Sequence, residues 1–95
     1  MPMLRLHLVG DVSSDRLAAV RPVLDELVDG TVTSTSTGLH VDGWMYGEDA
    51  RAANRELLSA LRRIERRTRL RATWSTGGIA YRFFDYVPKG VDAAP

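Results

Sequence analysis

The sequence predicts a single α+β domain, a ferredoxin-like split βαβ sandwich with two helices on one face of an antiparallel sheet. Strand-like and helix-like patterns follow in the order β-α-β-β-α-β, with one further strand at the C-terminal end. Each alternating strand has apolar side chains on one side only, which indicates one covered and one open sheet face. The domain is expected to span residues 1–87, followed by a flexible tail over 88–95.

The first strand is predicted from strict alternation between Met3 and Val9. Every second residue there is leucine, and the residues between them are polar, as in a half-buried strand. Gly10-Asp11 is expected to end the strand. The leucines that we expect beneath the helices are Leu4, Leu6 and Leu8.

The first helix is predicted from apolar residues at helical spacing that continue to Val28. Ser13 or Ser14 offers an N-cap, and Asp29-Gly30 offers an end to the helix. Pro22 lies inside this pattern and removes one backbone donor. We therefore expect a kink, or two short helical pieces.

A β-hairpin is predicted next. Residues 31–37 are rich in threonine and favour an edge strand, and Thr37-Gly38 offers a turn. In residues 39–46 apolar and polar side chains alternate again, which indicates the second strand of the hairpin. The apolar members of this second strand, expected beneath the helices, are Leu39, Val41 and Met45.

The second helix is the clearest element. It is expected to begin at Gly47-Glu48-Asp49 and to end near Arg66-Arg67, with acids at its positive end and cations at its negative end. Strands are then predicted over residues 69–74 and 79–87, joined by a turn at Thr76-Gly77-Gly78. The apolar stripe of the helix is Ala50, Ala53, Leu57, Ala60, Leu61 and Ile64.

The open sheet face is the first candidate site. Aromatic and cationic side chains there suit single-stranded nucleic acid, but an interface with a protein partner or a second copy of the chain is the favoured interpretation. The sequence lacks the glycine-rich aromatic signature of RNA-recognition strands. We expect this face also to include Arg69 or Arg71 and one side of the last strand (Ala80, Arg82, Phe84 and Tyr86, or the reverse set). Its main predicted residues are Arg5, His7, His40, Asp42, Trp44 and Tyr46.

A row of arginines on the second helix is the other candidate. Charge is divided along the chain: residues 1–50 hold three arginines and eight acids, whereas residues 51–95 hold ten basic residues and four acids. An unmixed cationic stripe favours an anionic partner. It is equally the result expected of a GC-rich coding sequence, since there are twelve arginines and one lysine. The predicted stripe consists of Arg51, Arg55, Arg62 and Arg66, and Arg69 and Arg71 complete the candidates for binding an anion or nucleic acid.

The sequence offers little for catalysis. His7, His40 and Asp42 could form an acid–base pair or half of a metal site. No nucleophile elbow, phosphate-binding glycine loop or metal-ligand spacing accompanies them. The chain has no cysteine and no apolar run of membrane-spanning length. We therefore expect a cytoplasmic protein that is not an enzyme, has no metal or cofactor, and does not bind a membrane.

Two segments carry a resemblance. The run ANRELLSALRRIERRTRLRATW over residues 53–74, followed by YRFFDYVPKG over 81–90, resembles small proteins of high-GC actinobacteria and their phages. This resemblance implies an accessory protein of a phage or mobile element and names no activity. The sequence therefore predicts a non-enzymatic interaction module that binds a protein partner or forms a homodimer. Nucleic-acid binding is the alternative function.

Overall fold

A five-stranded antiparallel sheet organises the chain, and a computed structural model describes it over residues 4–84. The strands lie in the order β2-β3-β1-β4-β5, and every neighbouring pair is antiparallel. The predictions made for Met3, for residues 85–87 with Tyr86 among them, and for the tail concern residues outside the described range. The elements are β1 (Leu4–Ser13), α1 (Leu17–Leu27), β2 (Asp29–Ser34), β3 (Leu39–Gly47), α2 (Ala50–Ile64), β4 (Arg69–Thr76) and β5 (Ile79–Phe84).

Both helices pack on one face of the sheet and share a single core with it. The alternation of β1 explains this arrangement, because successive side chains of a strand point to opposite faces. Leu6, Leu8 and Val12 are completely buried, and Leu4 is half-buried at the margin. The α+β class and the two-helix layer are therefore as predicted. Other fully or almost fully buried residues of this core are Val20, Leu24, Val41, Leu57, Leu61, Leu70 and Trp74.

The strand β1 is longer than its pattern suggested. Gly10 does not end it but pairs with Val41 on one side and Ala72 on the other. A β-carbon at Gly10 would overlap the carbonyl oxygen of Arg71 in the backbone of the neighbouring strand. Glycine is therefore required at this point by close strand approach and not by a turn. The expected strand end at Gly10-Asp11 is wrong.

The boundaries of α1 also differ from the prediction. The helix begins at Leu17 after Arg16, which makes no side-chain cap, and the Ser14 hydroxyl accepts only from the Arg16 amide. Neither serine is the N-cap. The helix continues through Pro22 as one element, since Val20 and Leu24 on either side of it are anchored in the core. Asp29-Gly30 does not close the helix; it opens β2.

The hairpin β2–β3 turns slightly earlier than expected. β2 ends at Ser34, and the Thr35 hydroxyl accepts from the amides of Thr37 and Gly38. A threonine hydroxyl that hydrogen-bonds to backbone amides two or three residues later in the chain stabilises a turn and competes with extended structure. The β4–β5 hairpin turns as predicted, with Gly77 and Gly78 both at positive φ, as a two-residue turn requires.

The helix α2 is shorter than the sequence pattern. Asp49 caps it by accepting from the Ala52 amide at 2.7 Å, and it ends at Ile64. Arg66 therefore lies in the turn that follows and not on the helix. The hydroxyl of the buried Thr68 donates to the Glu65 carbonyl at 2.6 Å, which turns the chain directly into β4.

One buried hydrogen bond joins α2 to the sheet. The indole Nε1–H of Trp74 donates to the Asn54 side-chain oxygen at 2.8 Å, and Trp74 is completely buried. An indole placed in a core needs such an acceptor, because an unsatisfied buried donor is costly. Asn54 therefore interrupts the apolar stripe of α2 for a structural reason.

We expect Asn54→Ala to lower the free energy of unfolding by about 1–3 kcal/mol, because it leaves the buried indole donor unsatisfied. Urea denaturation followed by circular dichroism measures this loss. The same substitution in a Trp74→Phe background provides the control, since phenylalanine has no donor. An equal loss in both backgrounds would contradict the role assigned to the hydrogen bond.

Candidate functional site

The open face of the sheet, opposite the helices, carries all six main residues that the sequence proposed for it. Arg5 and His7 lie on β1, opposite Tyr46 and Trp44 of β3 in the antiparallel register. His40 and Asp42 follow on the same side of β3. Trp44 is 44% exposed and Tyr46 is 52% exposed, so the side chains of this face are partly open to solvent.

Five of these residues form one group, which we name the Trp44 cluster: Arg5, His7, Asp42, Trp44 and Tyr46. The guanidinium carbon of Arg5 lies 5.5 Å from the Trp44 ring centroid and 5.6 Å from that of Tyr46. The His7 ring is tilted against Trp44 at 5.0 Å, and its Nε2 lies 2.7 Å from the Asp42 carboxylate. Cation–π and ring contacts therefore hold two exposed aromatic rings in fixed positions.

A second group crosses the other end of the open face, and we name it the Asp11 row: His40, Asp11, Arg71 and Phe84. These residues are neighbours across four adjacent strands. Arg71 Nη2 donates to Asp11 at 2.9 Å, and His40 Nδ1 lies 3.2 Å from the other Asp11 oxygen. Hydrogen bonding from Arg71, and then from His40, lowers the pKa of the Asp11 carboxyl from its usual 3.8.

Asp11 was missed by the sequence reasoning because Gly10-Asp11 suggested a strand end. The signal that could have revealed it is Val12, which continues the apolar alternation of Leu6 and Leu8 beyond the glycine. On the last strand, the side chains that share the open face are Ala80, Arg82 and Phe84, through their pairs with β4.

The arginine row predicted on α2 does not form as a stripe of four. Arg51 and Arg55 are exposed on the helix, as expected. Arg62 is only partly exposed, and its Nε donates to the Thr68 carbonyl at 3.0 Å, where the chain leaves the helix. Arg66 lies beyond the helix end, so it does not continue the row. Arg69 and Arg71 belong instead to β4, on the open face.

The described residues divide their charge between the two ends of the sheet. We name the end where α1 begins and α2 ends the basic end. It brings together arginines that are distant in sequence. Arg16 Nη1 donates to the Ile64 carbonyl at 3.1 Å, and Arg69 on β4 pairs with Ser13 on β1. Seven arginines gather there against Asp11, Asp15 and Glu65. They are Arg16, Arg62, Arg63, Arg66, Arg67, Arg69 and Arg71.

The opposite end, which we name the acidic end, carries the reverse balance. It collects the last turn of α1, the beginning of β2 and the beginning of α2. Its five acids lie beside Arg5, Arg51 and Arg82, so the acids remain in excess. The charge division along the sequence thus becomes a division in space. The acids are Asp25, Glu26, Asp29, Glu48 and Asp49.

The chemistry available on the open face is that of contact and ion pairing. Within residues 4–84, no group of three or more potential ligands is placed to hold a metal ion. His7 contacts Asp42 and the Trp44 ring, and His40 contacts Asp11. None of the helices over this range is long and apolar enough to cross a membrane.

Comparisons with known proteins found no match: no protein-family model, curated protein or solved structure matches this chain.

We expect the Asp11 row to make the free energy of unfolding depend on pH in the acid range. Because the pKa of Asp11 is lowered in the folded state, its carboxylate stabilises the protein above the usual value of 3.8, and this contribution is lost as the pH falls below it. The effect is small, since exposed ion pairs contribute less than about 1 kcal/mol. Asp11→Asn should therefore flatten the acid side of the stability profile measured by urea denaturation.

The matched control for that profile is Asp25→Asn, which alters an exposed carboxylate on α1 outside the Asp11 row. A profile for Asp11→Asn that is as steep in acid as that of the unmodified chain would contradict the assignment.

Proposed function

We propose that this protein is a non-enzymatic interaction module that self-associates through the open face of its sheet. The observation that carries the proposal is the exposure of Trp44 and Tyr46, together with Val9, on a regular sheet face that neither helix of residues 4–84 covers. Aromatic residues held in fixed positions are typical anchors of protein interfaces, since little side-chain entropy is lost when they are covered.

The charges around these rings favour protein over nucleic acid. Asp29 is the cross-strand neighbour of Trp44, and Asp42 is part of the same cluster. The one cation among them, Arg5, lies against the two rings. Two carboxylates beside a stacking platform repel phosphates, so nucleic-acid affinity is reduced where its bases would stack.

A second copy of the chain is the occupant that the charge division favours. If two open faces pack with their strands antiparallel, the basic end of each copy lies against the acidic end of the other. Packing with the strands parallel would place like charges together at both ends. Complementary potentials of this kind select orientation and partner.

The size of the face sets the expected strength. Five strands about 4.8 Å apart and about 8 residues long present roughly 600 Å² on each copy. A total near 1,200 Å² lies at the lower limit of stable interfaces. The proposed association is therefore reversible and depends on protein concentration.

The finer fold and the setting are part of the same proposal. The order β2-β3-β1-β4 of the first four strands, with two helices on one face, supports a ferredoxin-like arrangement to which β5 is added at the edge. The lack of cysteine supports a reducing, cytoplasmic setting. An accessory role in a phage or mobile element rests on the resemblance of residues 53–74 and 81–90.

We expect Trp44→Ser to raise the dissociation constant for self-association more than about tenfold, because it removes a central aromatic anchor. Analytical ultracentrifugation over a range of concentrations measures this change. Iodide quenching gives a second readout: Trp44 should become protected as concentration rises, while the buried Trp74 is the unquenched reference.

Tyr81→Ser provides the matched control. Tyr81 is 41% exposed but points to the helix side of β5, since it pairs with the buried Trp74. Its replacement should leave self-association unchanged. A chain that remains monomeric at every concentration, with Trp44 fully quenchable, would refute the proposal.

We also expect charge reversal at either end to weaken self-association. Glu26→Lys with Asp29→Lys makes both ends basic, and Arg66→Glu with Arg67→Glu and Arg69→Glu makes both acidic, so each variant places like charges together. Each variant alone should dissociate more readily than the unmodified chain at low salt, while an equimolar mixture of the two should associate again. If each variant alone associates as the unmodified chain does, the antiparallel orientation is wrong.

A further inference from the structure

A cleft of about 500 Å³ opens where the basic end meets the open face. Its volume is within the usual range for small-ligand sites, roughly 300–1,000 Å³. We propose that this cleft binds a nucleotide, with the phosphate on two arginines and the base on an exposed phenylalanine. The residues that carry the argument are Ser13, Thr37, Arg69, Arg71 and Phe84, all of which line the cleft.

Arg71 is held ready for an anion. Its Nη2 donates to Asp11 at 2.9 Å, and Asp11 is contacted in turn by His40. A guanidinium has five N–H donors, so this single contact draws the group toward Asp11 while other donors remain for a phosphate oxygen. An arginine held in this way loses less conformational entropy when it binds an anion than a freely rotating one.

Arg69 supplies the second cation. It lies two residues before Arg71 on the same side of β4, about 7 Å away along the strand. Within residues 4–84 it forms no hydrogen bond or ion pair with another side chain, and it is exposed. Two guanidinium groups at this spacing can contact one phosphate from two sides, and guanidinium groups suit phosphate recognition.

Phe84 supplies a surface for a base. It pairs with Arg71 across the two strands, lines the cleft and is 58% exposed, the largest exposure among the large hydrophobic residues of the described chain. Exposed rings beside cations are the sites on which nucleobases stack. The hydroxyls of Ser13 and Thr37 add neutral hydrogen-bonding groups at the rim.

The local charge distinguishes this corner from the Trp44 cluster. Here Arg69 and Arg71 outnumber Asp11, and Arg66 and Arg67 lie near on the same end. Around Trp44, two carboxylates outnumber one arginine. An aromatic ring with surplus positive charge is thus found at only one corner of the open face in the described structure. The cleft is assigned to the monomer, because the proposed self-association would cover Arg71 and Phe84 on the same sheet face and would compete with the nucleotide.

Titration with three probes at low ionic strength tests the proposal: adenosine 5′-monophosphate, adenosine and inorganic phosphate. Binding is followed by isothermal calorimetry and by amide shifts in two-dimensional NMR. The monophosphate should bind more tightly than either half alone, with shifts at the adjoining ends of β1, β4 and β5. Arg69→Ala should weaken it about tenfold or more, as expected for loss of a charge-assisted hydrogen bond.

Two variants distinguish a specific nucleotide site from nonspecific electrostatic attraction. Phe84→Leu should reduce affinity for the monophosphate to that for inorganic phosphate, because the stacking ring is lost. Arg63→Ala removes an exposed arginine of the same end that does not line the cleft, and it should change affinity less than about twofold.

The overturning results are equally specific. A monophosphate that binds no better than inorganic phosphate, or not at all, contradicts the nucleotide site, as does an equal loss with Arg63→Ala and Arg69→Ala. The titration is repeated in the Trp44→Ser background. Because that variant is expected to be more monomeric, its affinity should equal or exceed that of the unmodified chain, whereas lost affinity would overturn the nucleotide site.

Discussion

The structure depends on the double pairing of β1, which lies between β3 and β4 at the centre of the sheet. Gly10 allows this strand to remain continuous, because the backbone of β4 approaches it too closely for a side chain, while β3 pairs with it on the other side. Because side chains alternate along it, the leucines that enter the core leave Arg5, His7 and Asp11 on the open face. Core and candidate site are thus two sides of one strand. A shift of a single residue would exchange them.

Antiparallel topology explains the segregation of charge. Each helix returns the chain to the end of the sheet from which it came, so the basic segment after α2 lies beside the beginning of α1, and the acids of α1 and α2 meet at the other end. Asp25 and Glu26 lie in the last turn of α1, where a helix dipole favours cations. Helix stability therefore does not explain their position, which is consistent with a role in contacts.

The open face combines fixed geometry with little stabilisation. Its ion pairs are partly exposed, and such pairs contribute less than about 1 kcal/mol each. The free energy of folding comes chiefly from the buried side, where Trp74 and Asn54 join sheet and helix. Covering the open face would remove water from the same pairs and strengthen their electrostatic interactions. Two corners of one face then offer different chemistry: rings among carboxylates near Trp44, and a ring among arginines near Phe84.

The sequence by itself determined the fold class, the order of the elements and the face on which Trp44 and His7 lie, because alternation and helical spacing report directly which side chains are buried. It could not determine where β1 ends, since Gly10 is a turn signal in isolation and a strand residue only when two neighbours pair with it. It placed Arg66 on a helix that stops at Ile64, because the hydrogen bond from Thr68 to the Glu65 carbonyl turns the chain there. Only the tertiary structure brought Asp11 to Arg71, sixty residues away, and gathered the arginines at one end. Such contacts follow from the register between distant strands, which no local pattern contains.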